Sequence, residues 1–160
     1  LKSVAAKLQD AGVPVDINYD GVRIQGTGEI YPVDLKTLPY PGFLTDMQAQ
    51  FMALLTLAKG TSIVTETVFE NRFMHVPELR RMGADIRIED RSAVISGVEY
   101  LQGADVRATD LRAGAALVIA GLAAQGITRV GDIYHIQRGY ENFCEKLMAL
   151  GGKVKLIKEP

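Results

Sequence analysis

Arg72 and Arg138 stand 66 positions apart in matching contexts. Each is followed by a short polar-to-apolar segment, a Met-Gly or Leu-Gly step, and an alternating run. A third arginine, Arg112, follows the pair Thr109-Asp110, which repeats Thr45-Asp46 from 64 positions earlier. A guanidinium is planar and presents paired N–H donors, so it grips a carboxylate or a phosphate in two-toothed fashion. A carboxylate nearby can accept a proton. These residue types therefore suit a site for a small anion at which protons move. Their spacing leaves two explanations open. Asp46 and Asp110 could simply cap helices in duplicated scaffolding, or cations and carboxylates from successive repeats could converge on one ligand.

The elements that must position them also repeat. Three helix-like segments, "VAAKLQDAG", "VPELRRMG" and "EKLMALG", end at Gly12, Gly83 and Gly151. Glycine suits the left-handed residue that closes a helix. Alternating runs follow: Val13, Val15 and Ile17, then Ile86 and Ile88, then Val154 and Leu156. These predict half-buried strands with Asp16, Asp85, Arg87, Glu89, Lys153 and Lys155 facing solvent. A second type of helix is expected over 45–60 and 109–126, each opening on Thr-Asp and ending at glycine. Strands are expected after them in "TSIVTETVF" and "ITRVGDIYHI". The helix over 110–125 is apolar almost all round and is expected to be buried on most sides. Buried helices beside alternating strands imply helices inside and sheets outside. "GVRIQG" and "SAVISG" lack a third counterpart, so the units, about 65–70 residues each, are incomplete at both ends. Beginning at Leu1, within a helical pattern, the chain reads as a single-domain piece, 1–160, of something longer.

A chain of 160 residues can bury one core, and 48% hydrophobic with 23% charged residues is an ordinary globular balance. Net charge is −1, which gives no broad electrostatic footprint for nucleic acid or an anionic membrane. The longest apolar run, 113–124, is too short to span a bilayer. A cytoplasmic domain with no nucleic-acid or membrane partner is expected. Cys144 stands alone, so it forms no internal disulfide, and no CxxC pair offers metal ligands.

Four motifs, "PGFLTDMQAQ" (41–50), "TETVFENRFMHVPEL" (65–79), "ATDLRA" (108–113) and "YHIQRGYE" (134–141), resemble the enolpyruvyl transferases in order and content. The resemblance covers the chain from about Tyr40 onward, and departs where Leu44 replaces a common proline and Gln137 a frequent aspartate. It implies an inside-out α/β barrel domain of the enolpyruvyl transferase type, of which this chain is the C-terminal part, the other domain of the parent being a necessary partner. It further implies transfer of the enolpyruvyl group of phosphoenolpyruvate to the 3′-hydroxyl of UDP-N-acetylglucosamine, by addition and elimination, with no metal or other cofactor. On the matching positions, Asp46 is the implied general base at the sugar hydroxyl. Arg72 and Arg112 are expected to face the carboxylate and Arg138 the phosphate. Asp110 takes a supporting or capping role, and Val68 and Phe69 meet the nucleotide sugar. His135 and Glu141 flank Arg138 as supporting groups, and His75 reads as local structure. The family's functional cysteine, the target of fosfomycin, lies in the other domain, and Cys144 reads as a core thiol. Two other functions compete: the family branch acting on shikimate 3-phosphate, disfavoured by "NRFMHVPEL", and an RNA-binding repeat module, disfavoured by the near-neutral charge. The fragment alone is expected to be inactive.

Overall fold

The computed structural model describes residues 1–157. The first repeat contributes helix α1 (Lys2–Asp10) and an antiparallel hairpin, β1 (Val15–Asn18) with β2 (Gly21–Ile24). The second is the fullest. Strand β3 (Leu35–Lys36) pairs in parallel with β4 (Thr61–Thr65), which pairs antiparallel with β6 (Ser92–Ser96), which carries β5 (Asp85–Glu89) on its far side. Between these strands run helix α2 (Gln48–Leu55), preceded by a 3-10 turn over Thr45–Met47, and helix α3 (Val76–Arg81). The third repeat supplies a parallel pair, β7 (Asp105–Arg107) with β8 (Arg129–Gly131), flanking helix α4 (Leu111–Ala123). Short helices α5 (Tyr134–Gln137) and α6 (Phe143–Ala149) follow. A hairpin alone, a complete four-stranded sheet, and a parallel pair alone are three portions of one repeated unit.

The repeats share their punctuation. Gly12, Gly83 and Gly151 have φ of +84°, +89° and +87°. The N–H of the next residue reaches back to the carbonyl five positions earlier, Val13 to Leu8, Ala84 to Leu79 and Gly152 to Leu147, at 2.9 to 3.1 Å. A side chain at that φ is strained, so glycine both ends the helix and aims the following segment.

Helix α2 is the centre of the core. All its residues but Leu54 are buried, and it packs against α4, whose Ala116, Leu117 and Ala120 belong to the same core cluster. Burial of Met52, Leu55, Val64, Leu79, Met82 and Ile95 joins the two helices to the four-stranded sheet. Apolar area removed from water is the main driving term here. Helices thus lie inside and sheets outside, as expected, and the described residues form three separate sheets without closing a barrel.

Several expectations are corrected. Within "ITRVGDIYHI" only Arg129–Gly131 is extended, and Tyr134–Gln137 coils into α5. The run after Gly151 keeps Lys153 and Lys155 outward but, as far as Ile157, forms no strand, because no strand among the described residues pairs with it. Ile17 and Ile88 are exposed rather than half-buried, because each lies towards the far end of its strand, beyond the packing that buries Val15 and Ile86 on the same face. Ile119 and Leu122 leave one side of α4 open. Cys144 is half-buried on a helix with no fully buried residue, so it is not a core thiol.

Candidate active site

The two Thr-Asp pairs diverge in structure. Asp110 caps α4, its Oδ1 accepting from the backbone N–H groups of Arg112 at 2.8 Å and Ala113 at 3.0 Å. Asp46 caps nothing. It lies in the 3-10 turn before α2, where its Oδ1 accepts from Arg112 Nε at 2.6 Å and Arg72 Nη1 at 3.2 Å. The tighter turn swings Asp46 outward, and its side chain is 60% exposed. Arg72 arrives from the loop after β4 and Arg112 from the first turn of α4. Packing of α2 on α4 therefore brings Asp46, Arg72 and Arg112 to one rim.

Arg72 is held on more than one side, whereas the Arg112 side chain is held by Asp46. The Arg72 guanidinium donates to Thr45 Oγ1 at 2.7 Å and lies 4.0 Å over the Phe69 ring, a cation–π contact that limits where it points. The hydrogen bond that Arg112 donates to Asp46, aided by the charges of both arginines, holds the Asp46 carboxyl below the usual carboxylate range, against a partial opposing effect of burial. The Arg112 pKa is raised reciprocally, chiefly by that bond. Asp46 is thus an ionised acceptor beside two cations at neutral pH.

Arg138 joins the same end of the molecule without joining the ion-pair cluster. It is exposed at the C-terminus of α5, and it forms no ion pair among the described residues. Helix α5 lies close on α4: a Cβ added at Gly139 would fall 2.7 Å from Leu111 Cδ1, and one at Gly114 2.5 Å from Ile136 Cγ1. These contacts put Arg138 beside the turn of α4 that carries Arg112. Val68 and Phe69 are exposed on the loop between β4 and Arg72, and their backbone N–H groups both donate to Glu66 Oε1. His135 lies part-buried on α5 and Glu141 reaches Lys146 at 3.8 Å.

Three buried polar residues lie beneath the rim, of which Glu66 and Gln48 were missed by sequence reasoning. Glu66 is 1% exposed, and Gln48 and His75 are almost wholly enclosed. Gln48 and His75 share with Thr45, Arg72, Asp110 and Arg112 a recess of about 10 Å3, room for about one water. His75, read as local structure, closes the floor of this recess. Burial drives its pKa down to about 4, with Asp110 pulling weakly the other way. For Glu66 a signal existed: Ser62 and Val64 of β4 and Glu66 just past its end continue one inward-facing alternation, all buried. For Gln48 no sequence signal exists. A larger open groove of about 610 Å3, between Lys7 on α1 and Leu35 on β3, contains none of the expected site residues.

A pair of guanidinium groups sharing a carboxylate, set where pseudo-repeated helix starts meet, is an arrangement for holding a small anion next to a proton acceptor. The family model for EPSP synthase (3-phosphoshikimate 1-carboxyvinyltransferase) matches residues 1–147, and the chain belongs to that family. Among its relatives, UDP-N-acetylglucosamine 1-carboxyvinyltransferase 1 of Caldanaerobacter subterraneus subsp. tengcongensis is 62% identical over 154 residues, 96% of this chain and 37% of the relative. UDP-N-acetylglucosamine 1-carboxyvinyltransferase 2 of Carboxydothermus hydrogenoformans is 61% identical, across 99% of this chain and 38% of the relative. Among solved structures, the enolpyruvyl transferase NikO from Streptomyces tendae superposes with a TM-score of 0.87 at 33% identity, covering 97% of this chain and 36% of that one. EPSP synthase from Acinetobacter baumannii shares the fold, with a TM-score of 0.71 at 22% identity. The chain thus spans a little over a third of the length of the relatives it matches.

Proposed function

We propose that this chain is the anion-gripping part of an enzyme that transfers the enolpyruvyl group of phosphoenolpyruvate to the 3′-hydroxyl of UDP-N-acetylglucosamine, in peptidoglycan precursor synthesis. The observation that carries the reading is the shared contact of Arg72 and Arg112 with Asp46 Oδ1, in a chain 55 to 62% identical to enzymes named for that reaction. The setting follows from the substrates: a cytoplasmic step upstream of wall assembly, and so of cell shape and division. The remaining domain of the parent is the partner that completes the cleft and supplies the fosfomycin-sensitive cysteine.

In the addition step the sugar 3′-oxygen attacks C2 of phosphoenolpyruvate while C3 gains a proton, forming a tetrahedral ketal. In the elimination step C3 loses a proton and phosphate departs. Asp46, ionised and on the exposed rim, takes the hydroxyl proton. Arg72 and Arg112 hold the carboxylate of phosphoenolpyruvate, and Arg138 meets the phosphate. An incoming carboxylate competes with Asp46 for the same guanidinium groups. Binding therefore frees Asp46 from the contacts that depress its basicity, just where a base is needed. Asp110 keeps the first turn of α4, and hence Arg112, in place. Val68 and Phe69 border the nucleotide-sugar side. One domain alone leaves the rim open to water, so the chain by itself is inactive.

The test uses the parent-length enzyme. Arg72→Ala, Arg112→Ala or Arg138→Ala raises KM for phosphoenolpyruvate at least tenfold more than KM for the nucleotide sugar, and Asp46→Asn abolishes most turnover while the protein stays folded. Equal effects on both substrates would defeat the arginine assignment, and wild-type turnover in Asp46→Asn the base. Turnover with shikimate 3-phosphate instead of the nucleotide sugar would move the enzyme to the family's other branch.

A further inference from the structure

Glu66 is a buried carboxylate that touches none of the rim's cations. Its Oε1 accepts from Thr37 Oγ1 at 2.7 Å and from the backbone N–H groups of Val68 at 2.8 Å and Phe69 at 3.1 Å. Its Oε2 accepts from Thr45 Oγ1 at 2.9 Å. Burial pulls its pKa up, but these donors outweigh burial and hold it below the ordinary carboxylate value. Arg91 braces the same loop from outside, donating to the carbonyls of Glu66 at 3.1 Å and Phe69 at 3.3 Å.

The direction of each bond follows from Glu66 being ionised. A carboxylate only accepts, so the single proton of the Thr45 hydroxyl must point at Glu66 Oε2. The lone pairs of that hydroxyl then face Arg72 Nη1, 2.7 Å away. We propose that Glu66 is a positioning residue for the anion site: through Thr45 it fixes the acceptor that aims Arg72, and through the backbone of Val68 and Phe69 it fixes the loop that carries Arg72. This inference rests on the reading of Arg72 as a ligand of phosphoenolpyruvate. Glu66 links three otherwise separate segments, the residues after β3, the turn before α2 and the loop after β4. That explains why a carboxylate occupies the buried position just past the end of β4, where Ser62 and Val64 precede it. Bonds to a charged acceptor are also stronger than neutral ones, which offsets the cost of its burial.

Glu66→Gln separates the two arms. The carboxamide oxygen stays where three donors converge, because an amide N–H there would oppose all three. The loop is therefore kept, while the amide nitrogen now faces Thr45 and leaves that hydroxyl's proton without its acceptor. In the parent-length enzyme, Glu66→Gln and Thr45→Val each raise KM for phosphoenolpyruvate about tenfold, with KM for the nucleotide sugar within about twofold. Thr45→Ser, which keeps the hydroxyl, stays near wild type, and Glu66→Gln with Thr45→Val together is no worse than the poorer single change. Unchanged KM in Thr45→Val, equal rises for both substrates, or additive effects in the double variant would overturn the relay. Should Glu66→Gln fail to fold, Thr45→Val against Thr45→Ser decides alone. Arg72→Ala in the same series tells the two failures apart. A large rise there with none in Thr45→Val removes only the relay, and no rise in Arg72→Ala removes the reading of Arg72 and the relay with it.

Discussion

His75 makes stability depend on pH between its unfolded and folded proton affinities. Its imidazole closes the floor of the site, 2% exposed, against Gln48 of α2 and the Asp110 end of α4, with Arg72 and Arg112 facing the same recess. Burial lowers its pKa from 6.5 to about 4. The unfolded chain therefore binds a proton at pH values where the folded chain does not, and folding stability must fall as pH falls. The loss begins as pH drops through 6.5 and is complete below about 4, where it amounts to about 3 kcal/mol. At pH 5 the unfolded imidazole is nearly all protonated and the folded one nearly all neutral, and about 2 kcal/mol has gone. The variant His75→Asn cannot titrate there. Its packing cost is the same at both pH values, and the carboxylates of Asp46 and Glu66 are common to both proteins. Urea unfolding followed by circular dichroism at pH 7.5 and pH 5 should show wild type ahead of the variant by about 2 kcal/mol less at the lower pH. Equal gaps at the two pH values would refute the reasoning, as would an NMR signal assigned to His75 that titrates near 6.5 in the folded protein.

Other consequences are as direct. Asp110→Ala removes the acceptor of two backbone N–H groups and should cost about 1 to 2 kcal/mol in denaturant unfolding, whereas Asp110→Asn should cost only a few tenths, about 0.3 kcal/mol. A Cβ at Gly97 would land 1.6 Å from the carbonyl oxygen of Ala58, so Gly97→Ala should destabilise by about 3 kcal/mol or more. Gly26→Ala, with nothing within 4 Å, is the control, and thermal melts that rank the two alike would contradict the packing. The Asp46 carboxyl, held down first by Arg112, should titrate higher in Arg112→Gln when followed by carbon NMR. Because its folded pKa is depressed, its pairing stabilises the fold above the unfolded carboxylate pKa and is lost as pH falls through the folded one. No upward movement in Arg112→Gln would show that the pair does not form in solution.

Much of the scaffold was legible in the residues because its causes are local. Glycine at 12, 83 and 151 closes a helix in the left-handed conformation whatever surrounds it. Alternation set the inward face of Ile86 on β5, and all-round apolarity placed α4 near the centre. Expectations failed where an element needs a neighbour. Lys153–Leu156 has the alternation of β5 but pairs with no strand among the described residues. Cys144 and Met148 sit on a helix that packs only partly and has no fully buried residue. In the site, the repeat and the motifs marked Asp46, Asp110, Arg72, Arg112 and Arg138, while only the inward phase of β4 hinted at Glu66.

Residue order alone determined which groups are available and that similar units bring them round in similar positions. It could not separate the two Thr-Asp pairs, which are identical as letters. Only the tertiary structure decided that Asp110 turns inward to cap its helix while Asp46, on a tighter turn, reaches two guanidinium groups from other segments. The physical reason is range. Capping depends on backbone a few residues away, whereas an ion pair between positions 46 and 112 exists only because α2 and α4 bury their apolar faces against each other.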